Sequence, residues 1–179
     1  MKIEGRNINL RLVELEDVNF IYQLRRDKNL NMYLSKIDED INKQIEWLKN
    51  YKIREQEKKE YYFIIEGKNL EQFGVCRLYD FKDDSFSTGS WIIKRGSPFY
   101  VAIESMLLGY EFCFSILGYN MMYIDVIKEN KKLIKHHQQL GARVIKSDNA
   151  KCYFELTKEN YEKIKCKYQK FFNWKLKET

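Results

Sequence analysis

The sequence predicts an α/β (α+β) fold in one continuous unit, on three observations. Strand-like and helix-like patterns alternate along the chain, as elements packed in layers around one core do. Three consecutive runs rich in aromatic and β-branched residues, "YYFIIEG", "FGVCRLYDF" and "FSTGSWIIK", are separated only by short polar or glycine-containing connections, which reads as an antiparallel meander. No internal repeat, low-complexity stretch or flexible linker interrupts the 179 residues, a length suited to one domain with a sizeable core.

The elements follow in order. Ile8, Leu10 and Leu12 alternate with polar residues like a half-buried strand, and Val18, Ile21, Tyr22 and Leu24 then recur at helical spacing. Asp38 is a suitable cap for a second helix that carries Ile41, Ile45 and Leu48 on one side and dissolves into charge at "REQEKKE". After the meander, Tyr100 to Leu117 reads as a long apolar helix with Ala102, Met106, Leu107, Tyr110 and Phe114, and "MMYIDVI" as a buried strand. Asn130 to Leu140 forms a helix that holds both histidines of the chain, His136 and His137, with Gly141 as its C-terminal cap. "ARVIKS" and "KCYFELT" close as a hairpin, and a basic, aromatic-bearing helix starts at about Glu159. The expected division is a domain over 1–157, with 158–179 as a helix packed on it or on a partner subunit.

A composition of 44% hydrophobic and 15% aromatic residues with a single proline fits a globular protein and excludes a disordered or fibrous one. The net charge of +6 is uneven, since 13 basic and 5 acidic residues lie from Lys131 onward. Lysine there is mixed with glutamate and aromatics, which points to a solvated helix face rather than to a membrane or nucleic-acid surface. From Lys163 the chain interleaves lysine with Tyr168, Phe171, Phe172 and Trp174, but aromatics that stack on bases are displayed on sheets or grooves, so no nucleic-acid partner is expected. Cys76, Cys113, Cys152 and Cys166 form no CxxC pair and read as reduced thiols, with no metal site. The segment "MKIEGRNINLRLVELED" lacks an apolar leader core, and no stretch is long and apolar enough to span a bilayer, so a cytoplasmic location is expected.

The order of elements up to about Thr157 resembles the fold of the GCN5-related N-acetyltransferases (GNAT), and two segments carry the likeness. "GSWIIKRGSPFYVAIESMLLGYEFCF" is similar to the family's strand, loop and helix that hold coenzyme A, and "YIDVIKENKKLIKHHQQLGAR" to its next motif, a strand, an Asn and a helix ending in Leu-Gly. The resemblance implies a mixed, mostly antiparallel sheet with a splayed parallel strand pair, and acetyl-coenzyme A as co-substrate. It implies an acetyl carbonyl held by the backbone N–H of Trp91, Ile92 or Ile93, and cofactor contacts from Arg95, Gly96, Ser97, Tyr100, Val101 and Asn130. The loop departs from the glycine-rich pattern at Pro98, which has no N–H to donate, and at Phe99, although Pro98 suits the first turn of a helix.

The family's proton donor is a Tyr seven residues after the Asn, and in this sequence that position is His137. An imidazole titrating near 6.5 could protonate the departing thiolate or take a proton from the amine through water. The other reading is that both histidines are surface or packing residues of an amphipathic helix. The strand before the loop carries Ser85, Ser87 and Ser90 but no carboxylate base, and Glu104 lies inside the next helix with no role assigned. "LRRDKNLNMYLSKIDEDINKQIEWLKNY" resembles acetyltransferases that modify nucleotide-linked amino sugars in surface-glycan biosynthesis. On that likeness Arg25, Arg26, Tyr33, Trp47 and Arg77 are candidate substrate contacts, since guanidinium forks suit phosphate and aromatic faces suit a base or sugar. Alternatively, Arg25 and Arg26 are solvated and Trp47 is a core anchor. Two other functions stay open, a protein N-terminal acetyltransferase and a non-catalytic module holding a nucleotide sugar or coenzyme A. A homodimer is possible.

Overall fold

The computed structural model describes residues 1–30, 32–33, 38–171 and 173–177. Tyr61–Gly67 (β3), Gln72–Lys82 (β4) and Ser85–Ile93 (β5) form the antiparallel meander that the aromatic runs predict. Ile8–Leu12 (β2) pairs with β3, and the three-residue strand Lys2–Glu4 (β1) pairs with β2. On the other side of β5 lie Met121–Ile127 (β6), Lys151–Thr157 (β8) and Arg143–Ser147 (β7). Lys175–Lys177 (β9) adds to β1, so the sheet runs β7-β8-β6-β5-β4-β3-β2-β1-β9.

Every neighbouring pair in this sheet is antiparallel except β5 and β6. These two run parallel and pair only through Ser85, Phe86 and Ser87 against Met121, Met122 and Tyr123. Beyond that point they part, and the parting opens a cleft in the middle of the sheet. It is the splayed pair that the resemblance implies.

Helices cover both faces. Val18–Arg26 (α1) and Ile41–Gln56 (α2) bury Ile21, Leu24, Leu48 and Tyr51 against Tyr62, Ile64, Val75 and Ile92. Tyr100–Glu111 (α3) buries Leu107, Leu108 and Tyr110 against Leu10, Phe63, Phe86 and Met122 on the opposite face. β3 therefore has apolar neighbours on both sides, which is why it reads as an unbroken apolar run rather than an alternating one. Glu104 of α3 has a structural task. Fully buried, its carboxylate accepts from the backbone N–H of Asn7 at 2.8 Å, from Asn7 Nδ2 at 2.8 Å and from Ile8 N at 3.3 Å, closing the turn between β1 and β2.

Several sequence expectations need correction. The cap of α2 is Asp40, whose carboxylate accepts from Asn42 N at 2.9 Å, and Asp38 instead accepts from Asp40 N. The long helix does not run regularly to Leu117 but widens into a π-helical turn over Phe112–Ile116. β6 is only half buried: Met122 and Val126 face the core, while Tyr123, 42% exposed though paired on both sides, and Asp125 share the outward face. The chain after Thr157 is helical only over Lys158–Lys165 (α5), then turns as a 3-10 segment over Cys166–Phe171 and ends in β9. Tyr161 anchors α5, donating to Glu111 at 2.9 Å on α3. Phe172, read as part of this tail, lies outside the described residues.

Lys131–Gln139 (α4) matches its expected position and its expected C-terminal cap, Gly141, and Asn130 proves to be its N-terminal cap. Asn130 Oδ1 accepts from Leu133 N at 3.2 Å. At the other end Gly141, at φ +89, lets its own N–H reach Gln138 O and that of Ala142 reach His137 O, a Schellman ending.

Candidate active site

The wall of the cleft formed by β5 is irregular at one point. Arg77 of β4 is opposite Gly89 and Val75 is opposite Ile92, so Ser90 and Trp91 together face the single residue Cys76. This is a β-bulge, and Ser90 accommodates it at φ +44, a left-handed conformation that serine adopts at a cost of roughly 1–3 kcal/mol. A bulge leaves an extra residue unpaired and disrupts the ladder locally, and here Ser90 and Trp91 lie at the wall of the cleft.

The cleft encloses about 420 Å³. From β5 come Thr88, Gly89, Ser90 and Trp91; from β6 come Ile124 and Asp125; α4 and its cap bring Asn130, Leu133 and His137. Arg77 and Tyr79 enter from β4, Tyr33 from the segment after α1, and Lys151 from β8. Of the residues singled out in the sequence, Trp91, Asn130, His137, Tyr33 and Arg77 therefore meet in one cavity.

Arg77 is held rigidly. Its guanidinium lies 4.6 Å from the Tyr79 ring centre and 5.4 Å from that of Trp47, and its Nε donates to the buried carboxylate of Glu60. Asp125 and Lys151 form an ion pair of 2.6 Å at the rim. Tyr79, Asp125 and Lys151 were not singled out in the sequence. Tyr79 was within reach, being two residues from Arg77 on one strand and so on the same face. Asp125 and Lys151 meet only because β8 pairs with β6, a juxtaposition without a local signal.

The other candidates are placed differently. Trp47 does not reach the cavity lining; it stacks on Tyr51 with 6.0 Å between ring centres and packs edge-on to Tyr62, so it is a core anchor that also supports Arg77. Arg25 approaches the bulge, with Nη1 3.5 Å from Ser90 Oγ. Arg26 is exposed and lies over its own helix neighbour Tyr22. The side chains of Ile92 and Val101 are buried in the core and Ile93 packs against it, leaving only their backbone available to a ligand. Arg95 and Gly96 form an exposed turn in which Gly96 takes φ +80, and nothing lies within 4 Å of where a Cβ would sit. Ser97 turns its hydroxyl back onto Lys94 O at 2.7 Å. Pro98 lies two residues before α3 rather than in its first turn, and its C=O accepts from Val101 N at 3.0 Å. Gly96, Pro98 and Tyr100 line a separate groove with Arg6 and Lys68.

His137 is buried and His136 is half-buried, so neither is a free surface residue. His136 lies against Trp91 with 5.4 Å between ring centres and 16° between planes, while the Trp91 indole N–H donates to Ser105 of α3 at 3.1 Å. Trp91 thereby ties β5 to α3 and α4. His137 is 1% exposed, lies near the Phe154 ring, and has its Nδ1 3.2 Å from the Tyr110 hydroxyl. Burial pushes His137 down to about 3, with the neighbouring His136 adding in the same direction. The ring is therefore neutral near pH 7, and donation from a charged imidazolium, expected from the unperturbed pKa, is not available. A neutral ring still offers one N–H and one lone pair.

Among the described residues no group of His, Cys, Asp and Glu could hold a metal ion, and no helix is long and apolar enough to cross a membrane.

The pattern that describes the acetyltransferase (GNAT) domain matches residues 7–143. Among solved structures, FdhC, described as a nucleotide-linked sugar GNAT, is 40% identical and superposes with a TM-score of 0.88, covering 97% of this chain and 99% of its own. The spermidine N-acetyltransferase from Vibrio cholerae, solved with CoA and spermine, is 21% identical with a TM-score of 0.72, covering 87% of this chain and 98% of its own. A GCN5-related N-acetyltransferase from Brucella melitensis is 15% identical with a TM-score of 0.78, covering 95% and 84%. The last two likenesses show the fold alone. No curated protein sequence matches the chain.

Proposed function

Because the chain belongs to the acetyltransferase (GNAT) family, we propose that it transfers an acetyl group from acetyl-coenzyme A to the amine of a nucleotide-linked amino sugar. The observation that carries the transfer is the parting of β5 and β6 beside the bulge at Ser90 and Trp91, because it joins backbone N–H groups, His137 and a cavity in one place. The choice of substrate is supported by the 40% identity over 97% of the chain to FdhC, a nucleotide-linked sugar GNAT.

The residues present fit coenzyme A. Gly96 leaves open space at the turn before α3, and the start of that helix favours an anion; with the N–H groups of Ser97 and Val101 donating to Lys94 O and Pro98 O, those of Gly96, Phe99 and Tyr100 would hold the pyrophosphate. An N–H at Trp91, Ile92 or Ile93 would hold the thioester carbonyl oxygen, where negative charge develops as the amine attacks. In the reaction a C–N bond forms, the C–S bond breaks, and the proton lost by the amine is balanced by the one gained by the thiol. Arg77, with its planar fork held between rings, would meet a phosphate of the sugar nucleotide, and Tyr33 and Tyr79 offer faces to its base or sugar.

With Lys151 paired to Asp125, Arg77 leaves the described lining of the cleft with one excess positive charge, which favours an anionic substrate over the basic peptide of a protein N-terminal acetyltransferase. The test is to incubate the protein with acetyl-coenzyme A and a panel of nucleotide amino sugars, basic peptides and polyamines while following free thiol. Thiol release with a nucleotide amino sugar, well above release with the other amines, is the expected result. Release with peptides or polyamines alone would overturn the substrate, and binding without release would make the protein a non-catalytic module.

A further inference from the structure

Resting on the placement of the reaction beside His137, we propose that Tyr110 is a positioning residue that fixes His137 as the Nε2–H tautomer, so that the histidine presents a hydrogen-bond donor to the cleft rather than a base. The argument begins with the contact between the two side chains, Tyr110 Oη to His137 Nδ1 at 3.2 Å. Either group could supply the proton of that bond. Tyr110 is 1% exposed and sits in the apolar layer with Phe114 and Tyr161 edge-on to its ring, so its hydroxyl proton needs an acceptor. Nδ1 is the hydrogen-bond partner that the hydroxyl has among the described residues.

If Nδ1 carried the proton, the Tyr110 proton would be left buried without an acceptor, a loss of about 1–3 kcal/mol. If Tyr110 donates, its bond is complete, Nδ1 is the lone-pair nitrogen, and the ring proton is on Nε2. Nε2 is buried and has no hydrogen-bond partner among the described residues, while His137 lines the cleft. An N–H without a partner at the edge of a cavity is satisfied by an acceptor that enters the cavity.

The consequence is a division of labour. The Nε2–H of a neutral imidazole is too weak an acid to give up its proton, but it can hold a thioester sulfur as negative charge grows on it. The amine must then lose its proton to water or to another group, since Nε2 has no lone pair to receive it.

Nitrogen-15 NMR of the histidine-labelled protein tests this without any substrate. Expected is a His137 with a pyrrole-type Nε2 and a hydrogen-bonded, pyridine-type Nδ1, and in Tyr110→Phe a shift toward the Nδ1–H form or a mixture. Tyr110→Phe should also lower kcat by about tenfold, the worth of one hydrogen bond, with KM for acetyl-coenzyme A little changed. A wild-type ring protonated on Nδ1 overturns the proposal, and so does a Tyr110→Phe protein whose tautomer is unaltered. Should Tyr110→Phe not fold, a scalar coupling across the bond from the Tyr110 hydroxyl to Nδ1 decides in wild type, its absence counting against. A protein with the Nε2–H tautomer that releases no thiol would sink the transferase reading and leave the tyrosine–histidine pair intact.

Discussion

His137→Ala is expected to lower turnover by about 10²-fold, with little change in affinity for coenzyme A, because the lost group acts on charge that develops during transfer rather than on the bound ground state. The reasoning rests on position and state together. His137 is the seventh residue after the capping Asn130, it lines the cavity between the parted strands, and its free nitrogen has no protein partner among the described residues. His136→Ala has a different expected signature. Its ring lies against Trp91, so removal loosens the contact between α4 and β5 and acts on stability and on the shape of the cleft before it acts on the chemistry. Steady-state kinetics and coenzyme A titration of both variants make the comparison; equal and small effects on turnover would mean that His137 only packs.

Acid should destabilise the protein through the same histidine. Its folded pKa is near 3, whereas an unfolded histidine titrates near 6.5, so below pH 6.5 the unfolded chain binds a proton that the folded chain refuses. Stability from this source is complete above pH 6.5 and declines as pH falls toward 3, by about 1.4 kcal/mol per pH unit and about 5 kcal/mol in all. His136, also held down by burial, acts in the same direction. Urea unfolding at pH 6.5 and pH 4 should show the wild-type protein losing about 3 kcal/mol more than His137→Gln over that interval. Parallel losses in the two proteins would place the titrating groups elsewhere.

The parts of the fold legible in the sequence are those whose signals are local. The meander, β6, β8 and α4 with its C-terminal cap follow from side-chain periodicity and from a residue such as Gly141 that has one favoured use there. β1 and β9 were not legible, since a three-residue strand with one inward side chain, Ile3 in β1, has no period to detect. Asp38 reads in the sequence as the cap of α2, but Asp40, two residues on, has the same side chain, and the path of the flanking chain selects it.

The site was legible in outline. Counting from Asn130 reaches His137, but its neutrality comes from burial and its orientation from Tyr110, 27 residues away in sequence. The bulge escaped notice because serine carries no signal for the left-handed backbone that Ser90 adopts. Glu104 shows the opposite case, a buried carboxylate close to the expected cofactor loop whose three hydrogen bonds to Asn7 and Ile8 commit it to the fold.

The most direct test of the central claim is a crystal structure with acetyl-coenzyme A bound. The expected arrangement has the pyrophosphate at Gly96 to Val101, the thioester carbonyl oxygen about 3 Å from a backbone N–H at Trp91, Ile92 or Ile93, and His137 Nε2 in contact with the sulfur. A pantetheine arm lying instead in the groove lined by Arg6 and Lys68, with His137 Nε2 still without a partner, would contradict it.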